Sequence, residues 1–148
     1  MDSPFTEREL TRLRADFPIL SRTGRGGKPI VYLDAAATSQ KPLSVIEAEK
    51  AFYENSNGAV HRGTHLLADE SSQYFEDARL KLATFIGASP EEIVWTKNAT
   101  EALNLVAYAL SNPGIEGGAP LVGKGDRVVT TRAEHHANLV PWQLLSQR

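Results

Sequence analysis

Glu134-His135-His136-Ala137-Asn138-Leu139-Val140-Pro141-Trp142 follows the β-branched run Arg127-Val128-Val129-Thr130-Thr131, so two imidazoles land just beyond the carboxyl end of an expected strand. In open α/β sheets, ligands bind at that edge. The arrangement has a parallel upstream. Ile93-Val94-Trp95-Thr96 reads as a strand, and Lys97-Asn98-Ala99-Thr100-Glu101 as the turn into a helix, on what should be the same edge. One unit ends in histidines and the other in an anion-friendly helix start, a combination that suggests a phosphate-bearing ring as ligand. Only six residues follow Trp142, so much of such a site is expected elsewhere.

Length and composition bound the alternatives. The chain has 148 residues, 41% hydrophobic and 23% charged, which suits one soluble globular domain. A formal charge of −2 supplies no basic face for a phosphate backbone, so nucleic acid is not expected as a partner. No apolar run reaches membrane-spanning length, and Asp2, Glu7 and Glu9 stand where a secretory signal would be apolar. The expectation is a cytoplasmic protein with no membrane contact. There are no cysteines, which excludes disulfides, thiolate metal sites and a cysteine nucleophile within these residues.

Outward from the deciding stretch, helix and strand signals alternate. Thr6-Glu7-Arg8-Glu9 has capping-box spacing and opens a short helix with Leu10, Leu13 and Phe17 on one face. Ser21 to Pro29, with three glycines, reads as an exposed turn, and Ile30-Val31-Tyr32-Leu33 as a strand. A helix is expected from near Pro42 to Asn57-Gly58 with Val45, Ile46, Phe52 and Tyr53 inward. A longer one runs from about Leu66 to Ile86, with Leu67, Tyr74, Phe75, Ala78, Leu82, Phe85 and Ile86 at helical spacing. Ser89-Pro90-Glu91-Glu92 is a single capped turn, Thr100 to about Leu110 a helix, and Ser111 to Gly125 a surface loop. Pro141 to Arg148 looks like a helix broken off in its second turn.

The alternation predicts an α/β fold with an incomplete parallel or mixed sheet and flanking helices. Two or three strands are too few for a sheet buried on both faces. The chain therefore reads as the front part of a larger domain: residues 1–30 an arm and helix, residues 31–148 the beginning of the domain proper.

Asn98 can cap its helix, and Glu101 can answer from three residues on. On spacing alone this is first a well-made helix start. The second possibility is that the N–H groups around Ala99 and Thr100, with the Thr100 hydroxyl, hold a phosphate at the positive end of the helix dipole. Of the adjacent His135 and His136, one side chain can face a ligand while the other packs. His61, His65 and His135 could make a three-histidine zinc site, but Gly63 argues for a turn rather than a shared helix face, and no metal is expected. The P-loop spacing of Gly118 to Lys124 fails because Gly125 replaces the required hydroxyl residue and a strand follows rather than precedes it.

Tyr32-Leu33-Asp34-Ala35-Ala36, Gln40-Lys41-Pro42, His61-Arg62-Gly63-Thr64-His65, Ala99-Thr100-Glu101-Ala102-Leu103-Asn104 and Glu134-His135-His136-Ala137-Asn138 occur in this order. From about Leu13 onward the chain resembles the opening of a cysteine desulfurase of the sulfur-mobilising type. That group is a class V branch of the aspartate-aminotransferase-like fold and depends on pyridoxal 5′-phosphate.

The resemblance implies roles for particular residues. Ala99 and Thr100 match the cofactor-phosphate positions, and His135 the histidine that stacks on the pyridine ring and helps to move protons. His61 and Arg62 match residues near the active-site mouth. Asp34 to Ala36, with Ala35 and Ala36 closest, match a segment that approaches the substrate amino acid. Where some relatives have Thr-Thr, this chain has Ala99-Thr100, one hydroxyl fewer. The family reaction takes L-cysteine to L-alanine and an enzyme persulfide, feeding sulfur to an acceptor protein for iron–sulfur cluster assembly. A homodimer is implied for the complete enzyme. The Schiff-base lysine, the aspartate on the ring nitrogen, the carboxylate-binding arginine and the nucleophilic cysteine all fall beyond the point matching Arg148. The resemblance does not separate a cysteine desulfurase from a selenocysteine lyase or another class V enzyme. A truncated, non-catalytic remnant that dimerises or binds phosphate is the alternative of different kind.

Overall fold

The computed structural model describes residues 4–115 and 117–147. The elements form where local sequence dictates. Thr6 caps α1 (Glu7–Ala15): its hydroxyl oxygen accepts the Glu9 N–H at 3.3 Å, and Glu9 Oε2 accepts the Thr6 N–H at 2.8 Å. After α1, Asp16 accepts the Leu43 N–H at 2.7 Å, and the Arg14 guanidinium donates to the Ile30 carbonyl at 3.2 Å. The glycine turn closes on an isolated antiparallel bridge between Thr23 and Pro29, with Gly26 and Gly27 at positive φ.

Helix α2 spans Leu43–Asn55 and α3 Leu66–Ile86. The turns between them are tied down by α3. Ser71 is buried, and its Oγ accepts the Gly58 N–H at 2.8 Å while donating to the Ser56 carbonyl. The Phe52 ring meets Tyr74 edge-on at 6.4 Å. The turn at Pro90–Glu92 is closed by the Glu92 carboxylate, which accepts from the Ser89 N–H at 2.8 Å and its hydroxyl at 3.0 Å. Helices α4 (Ala99–Ser111) and α5 (Val140–Ser146) follow, with a 3-10 turn at His136–Asn138 between them in sequence. The chain divides into two compact units, one reaching to Phe85 and the other starting at Ile86.

Two expectations need correcting. First, the runs at residues 30–33, 93–96 and 127–131 make no strand ladder; among the described residues the Thr23–Pro29 bridge is the only β pairing. A strand is defined by its neighbour's N–H and C=O groups, and none is in place here. Second, the apolar stripes of the helices are mostly open to solvent. Val45, Ile46 and Tyr53 of α2 are exposed, as are Leu67, Tyr74, Phe85 and Ile86 of α3. The buried apolar residues are small, Ala68, Ala83 and Ala107 with Ile93. Helical periodicity marks which face wants burial, and these residues meet too little chain to achieve it.

Candidate functional site in the second unit

Within the second unit the start of α4 is the first component. Asn98 is in extended conformation and its Oδ1 accepts the Glu101 N–H at 3.0 Å. The reciprocal half of the expected capping box is displaced by one residue: Glu101 Oε2 accepts the Lys97 N–H at 2.5 Å rather than that of Asn98. The N–H groups of Ala99 and Thr100 and the Thr100 hydroxyl have no partner among the described residues, and both residues are exposed. A helix start with unpaired N–H groups, the dipole behind them and one hydroxyl fits an anionic oxygen cluster such as a phosphate.

The second component is the histidine turn, which packs against α4 and α5. His135 is the residue that caps it: its Nδ1 accepts the Ala137 N–H at 3.1 Å. An imidazole nitrogen that accepts carries no proton, so the neutral ring bears its hydrogen on Nε2. The side chain is exposed, and the His136 ring lies 6.2 Å away at 49°, so the adjacent rings diverge.

A polar chain holds this turn that the motif reading did not find. Glu134 Oε1 accepts from the Thr131 hydroxyl at 2.9 Å, and Oε2 from the Asn138 side-chain amide at 3.0 Å. Asn138 Oδ1 in turn accepts the Trp142 indole N–H at 3.0 Å. The Asn138 bond, followed by the Thr131 bond, holds the Glu134 carboxyl below its ordinary value, since donors stabilise the charged form. The signal was in the sequence: positions 134, 138 and 142 are spaced by four, so their side chains can line up along one side of a helical path.

The remaining sequence-derived residues lie in the first unit. Ala35 and Ala36 sit in an exposed turn whose Asp34 carbonyl accepts the N–H groups of Ala37 and Thr38, while the Tyr32 hydroxyl bonds the Asp34 and Thr38 carbonyls. His61 adopts a left-handed φ of 57°, unusual for a residue with a side chain. Three groups of α3 hold it. The Ser72 hydroxyl accepts its N–H at 2.9 Å, Glu76 Oε1 lies 2.9 Å from Nε2, and the Phe75 ring meets it edge-on at 5.9 Å. Arg79, 5.1 Å above Phe75, completes this cluster. Arg62 follows with an exposed side chain. Gly63 packs so closely that a Cβ there would come within 2.5 Å of Ala68 Cβ. No group of three or more histidine and carboxylate side chains is placed to hold a metal among the described residues.

A hollow of about 930 Å³ in the second unit is lined by Val128, Leu139 and Trp142 together with polar residues such as Lys124, Asp126 and Gln143, and by none of Ala99, Thr100 and His135. No helix among the described residues is long and apolar enough to cross a membrane.

The chain is similar to known proteins over its whole length. Residues 31–148 match the family model for class V aminotransferases. Over 148 residues the sequence is 51% identical to a probable cysteine desulfurase 2 of Mycobacterium leprae, covering all of this chain and 35% of that protein. A probable cysteine desulfurase of Streptomyces coelicolor is 50% identical over 137 residues, 92% of this chain and 32% of its own length. The apo structure of a cysteine desulfurase from Thermococcus onnurineus superposes with a TM-score of 0.78 at 37% identity, over 99% of this chain and 32% of that one. The chain thus spans about a third of the length of the curated relatives it matches.

Proposed function

This chain belongs to the class V aminotransferase family, with the fold of the cysteine desulfurases it superposes on, and on that premise we propose that it is the N-terminal portion of a pyridoxal-phosphate-dependent cysteine desulfurase. The observation that carries the proposal is the packing of the His135 turn on α4, the helix whose first N–H groups are unpaired. Residues 1–30 are then an arm, and residues 31–148 the beginning of the large cofactor-binding domain.

When bound, pyridoxal phosphate supplies an electron sink for the charge left on a substrate's α-carbon. The residues of this chain bind and orient. Ala99 and Thr100 hold the phosphate through backbone N–H groups and one hydroxyl. His135 covers the ring and, with Nδ1 engaged by Ala137, has Nε2 left to give or take a proton. His61 and Arg62 stand at the mouth, the guanidinium suiting a carboxylate, and Ala35 and Ala36 offer a small-residue surface to the substrate. L-Cysteine is the substrate and L-alanine the product, with sulfur left on an enzyme thiol as a persulfide and passed to an acceptor protein for iron–sulfur cluster assembly. The complete enzyme is a cytoplasmic homodimer.

Neither the thiol nor the lysine that holds the cofactor is among these 148 residues: there is no cysteine, and Lys28, Lys41, Lys50, Lys81, Lys97 and Lys124 match no such position. The same observation means that these 148 residues by themselves supply no sulfur-accepting thiol. Mixed with pyridoxal phosphate and cysteine, residues 1–148 release no sulfide above a cofactor-only control. Titrating the cofactor into isotope-labelled chain moves the Ala99 and Thr100 amide resonances, and Thr100→Val reduces the shift. Amides that stay still would remove the phosphate site.

A further inference from the structure

Donor and acceptor polarity fixes the chain Thr131–Glu134–Asn138–Trp142 in one direction. An indole N–H can only donate, so Trp142 requires the Asn138 carbonyl oxygen, at 3.0 Å. That choice turns the Asn138 NH₂ toward Glu134 Oε2, also at 3.0 Å, and the group at 134 must accept there. The other oxygen, Oε1, takes the Thr131 hydroxyl at 2.9 Å. Glu134, Asn138 and Trp142 are each half-buried, so water competes with these bonds less than on an open surface. The residues bracket His135 from both sides, since Glu134 precedes it and Asn138 ends the turn it caps.

We propose that Glu134 is a positioning residue for His135: its acceptor oxygen, read through Asn138 onto Trp142, locks the turn in the one register that keeps His135 Nδ1 on the Ala137 N–H and leaves Nε2 outward. The lock itself is a property of the chain. Only its consequence for catalysis rests on the reading of His135 as the residue that faces the cofactor.

Directional pairing makes a swap test possible. Asn138→Asp places two carboxylates about 3 Å apart, the distance now held by the amide, and like charges that close do not both ionise without penalty. Glu134→Gln alone is tolerated, because the glutamine carbonyl can still face Asn138 while its NH₂ donates to the Thr131 hydroxyl, which accepts as readily as it donates. In the double variant the polarity is reversed and fully satisfied. One oxygen of the new carboxylate at 138 takes the indole N–H and the other takes the glutamine NH₂, while the glutamine carbonyl takes the Thr131 hydroxyl.

The readouts, on the full chain, are the Trp142 indole N–H exchange rate and the His135 ring-nitrogen shifts. Asn138→Asp is expected to raise indole exchange about tenfold or more, the loss of a charge-assisted network bond, and to move His135 Nδ1 away from its accepting signature. Glu134→Gln is expected to change both by less than about threefold, on the scale of one neutral bond. Adding Glu134→Gln to Asn138→Asp is expected to restore both readouts. Should Asn138→Asp fail to fold, recovery of folded chain in the double variant carries the same information. A double variant no better than Asn138→Asp overturns the proposal, as does an Asn138→Asp chain indistinguishable from the unsubstituted one. The cofactor reading is tested separately: pyridoxal phosphate that leaves His135 unmoved in the unsubstituted chain defeats that reading and leaves the lock standing.

Discussion

At the scale of single residues, the positions that tolerate least are those where geometry leaves one chemical choice. A Cβ at Gly58 would lie 2.5 Å from the Leu67 carbonyl oxygen, and one at Gly63 2.5 Å from Ala68 Cβ. Neither neighbour is a flexible side-chain tip that could swing aside. Gly58→Ala and Gly63→Ala should therefore each cost about 1–3 kcal/mol, visible as faster amide exchange in the first turns of α3, with the His61 turn loosened as well. Unchanged exchange would show that this packing does not matter. Three carboxylates also set an acid limit: Glu134, held by Asn138 and then Thr131, and Glu9 and Glu92, each held by the backbone N–H and then the hydroxyl of its cap residue. All three lie below the ordinary 4.5, so their stabilisation is full above that value and is lost as pH falls through the depressed folded values. A titration from pH 6 to pH 3 should show the Trp142 indole losing protection by no more than about threefold below 4.5 in the unsubstituted chain, since a protonated Glu134 still offers a carbonyl to Asn138, and showing no such step in Glu134→Gln. Equal acid sensitivity in the two chains would detach Glu134 from the effect.

Among elements, helices were legible and strands were not, for a physical reason. The expected helix from Leu66 to Ile86 has those bounds, the one from Thr100 to about Leu110 is Ala99–Ser111, and the one from Pro42 is Leu43–Asn55. Each closes its own hydrogen bonds, so caps such as Thr6 and Asn98 and a 3.6-residue period suffice to mark it. Val128-Val129-Thr130 carries an equally plain strand signal, but its bonds belong to neighbours that these residues do not supply. The candidate site divides similarly. The helix start and the histidine pair stood out by local chemistry, whereas the Glu134–Asn138–Trp142 chain needs a folded turn to bring its members together. The start of α4 permits a test that separates stability from binding. Asn98→Ala removes the bond to the Glu101 N–H and should cost α4 about 1 kcal/mol. Asn98→Asp keeps the cap and adds a charge the dipole favours, worth about 0.3–1 kcal/mol, yet it places that charge where a phosphate would sit. The aspartate variant should therefore hold the helix as well as the native chain while binding pyridoxal phosphate or inorganic phosphate more weakly. Equal anion binding in native and Asn98→Asp chains would mean that the helix start is only a cap.

For the whole molecule, surface area is the informative quantity. The chain exposes 12781 Å². A compact protein of 16.2 kDa would expose about 7,500 Å², and even two separate compact bodies of half that mass about 9,000 Å². The excess has an address: Leu33 is 91% exposed, Val129 92% and Phe85 86%, where the expected strands and the long helix should be covered. The largest fully buried side chain is that of Ser71. Secondary structure in these residues therefore forms largely through local bonds, with little apolar burial to bind it into one cooperative whole. Two consequences can be measured together. Far-UV dichroism should show substantial helix that melts gradually, and a hydrophobic dye should bind strongly at temperatures where that helix is intact. The apolar runs at 30–33 and 127–131, which make no strand ladder among the described residues, should also drive concentration-dependent association. A monomer with a sharp melt and no dye binding would mean that the exposed faces find cover within the chain itself. The reading of these residues as part of a larger desulfurase domain would then lose its physical support, because that domain is what the open faces require.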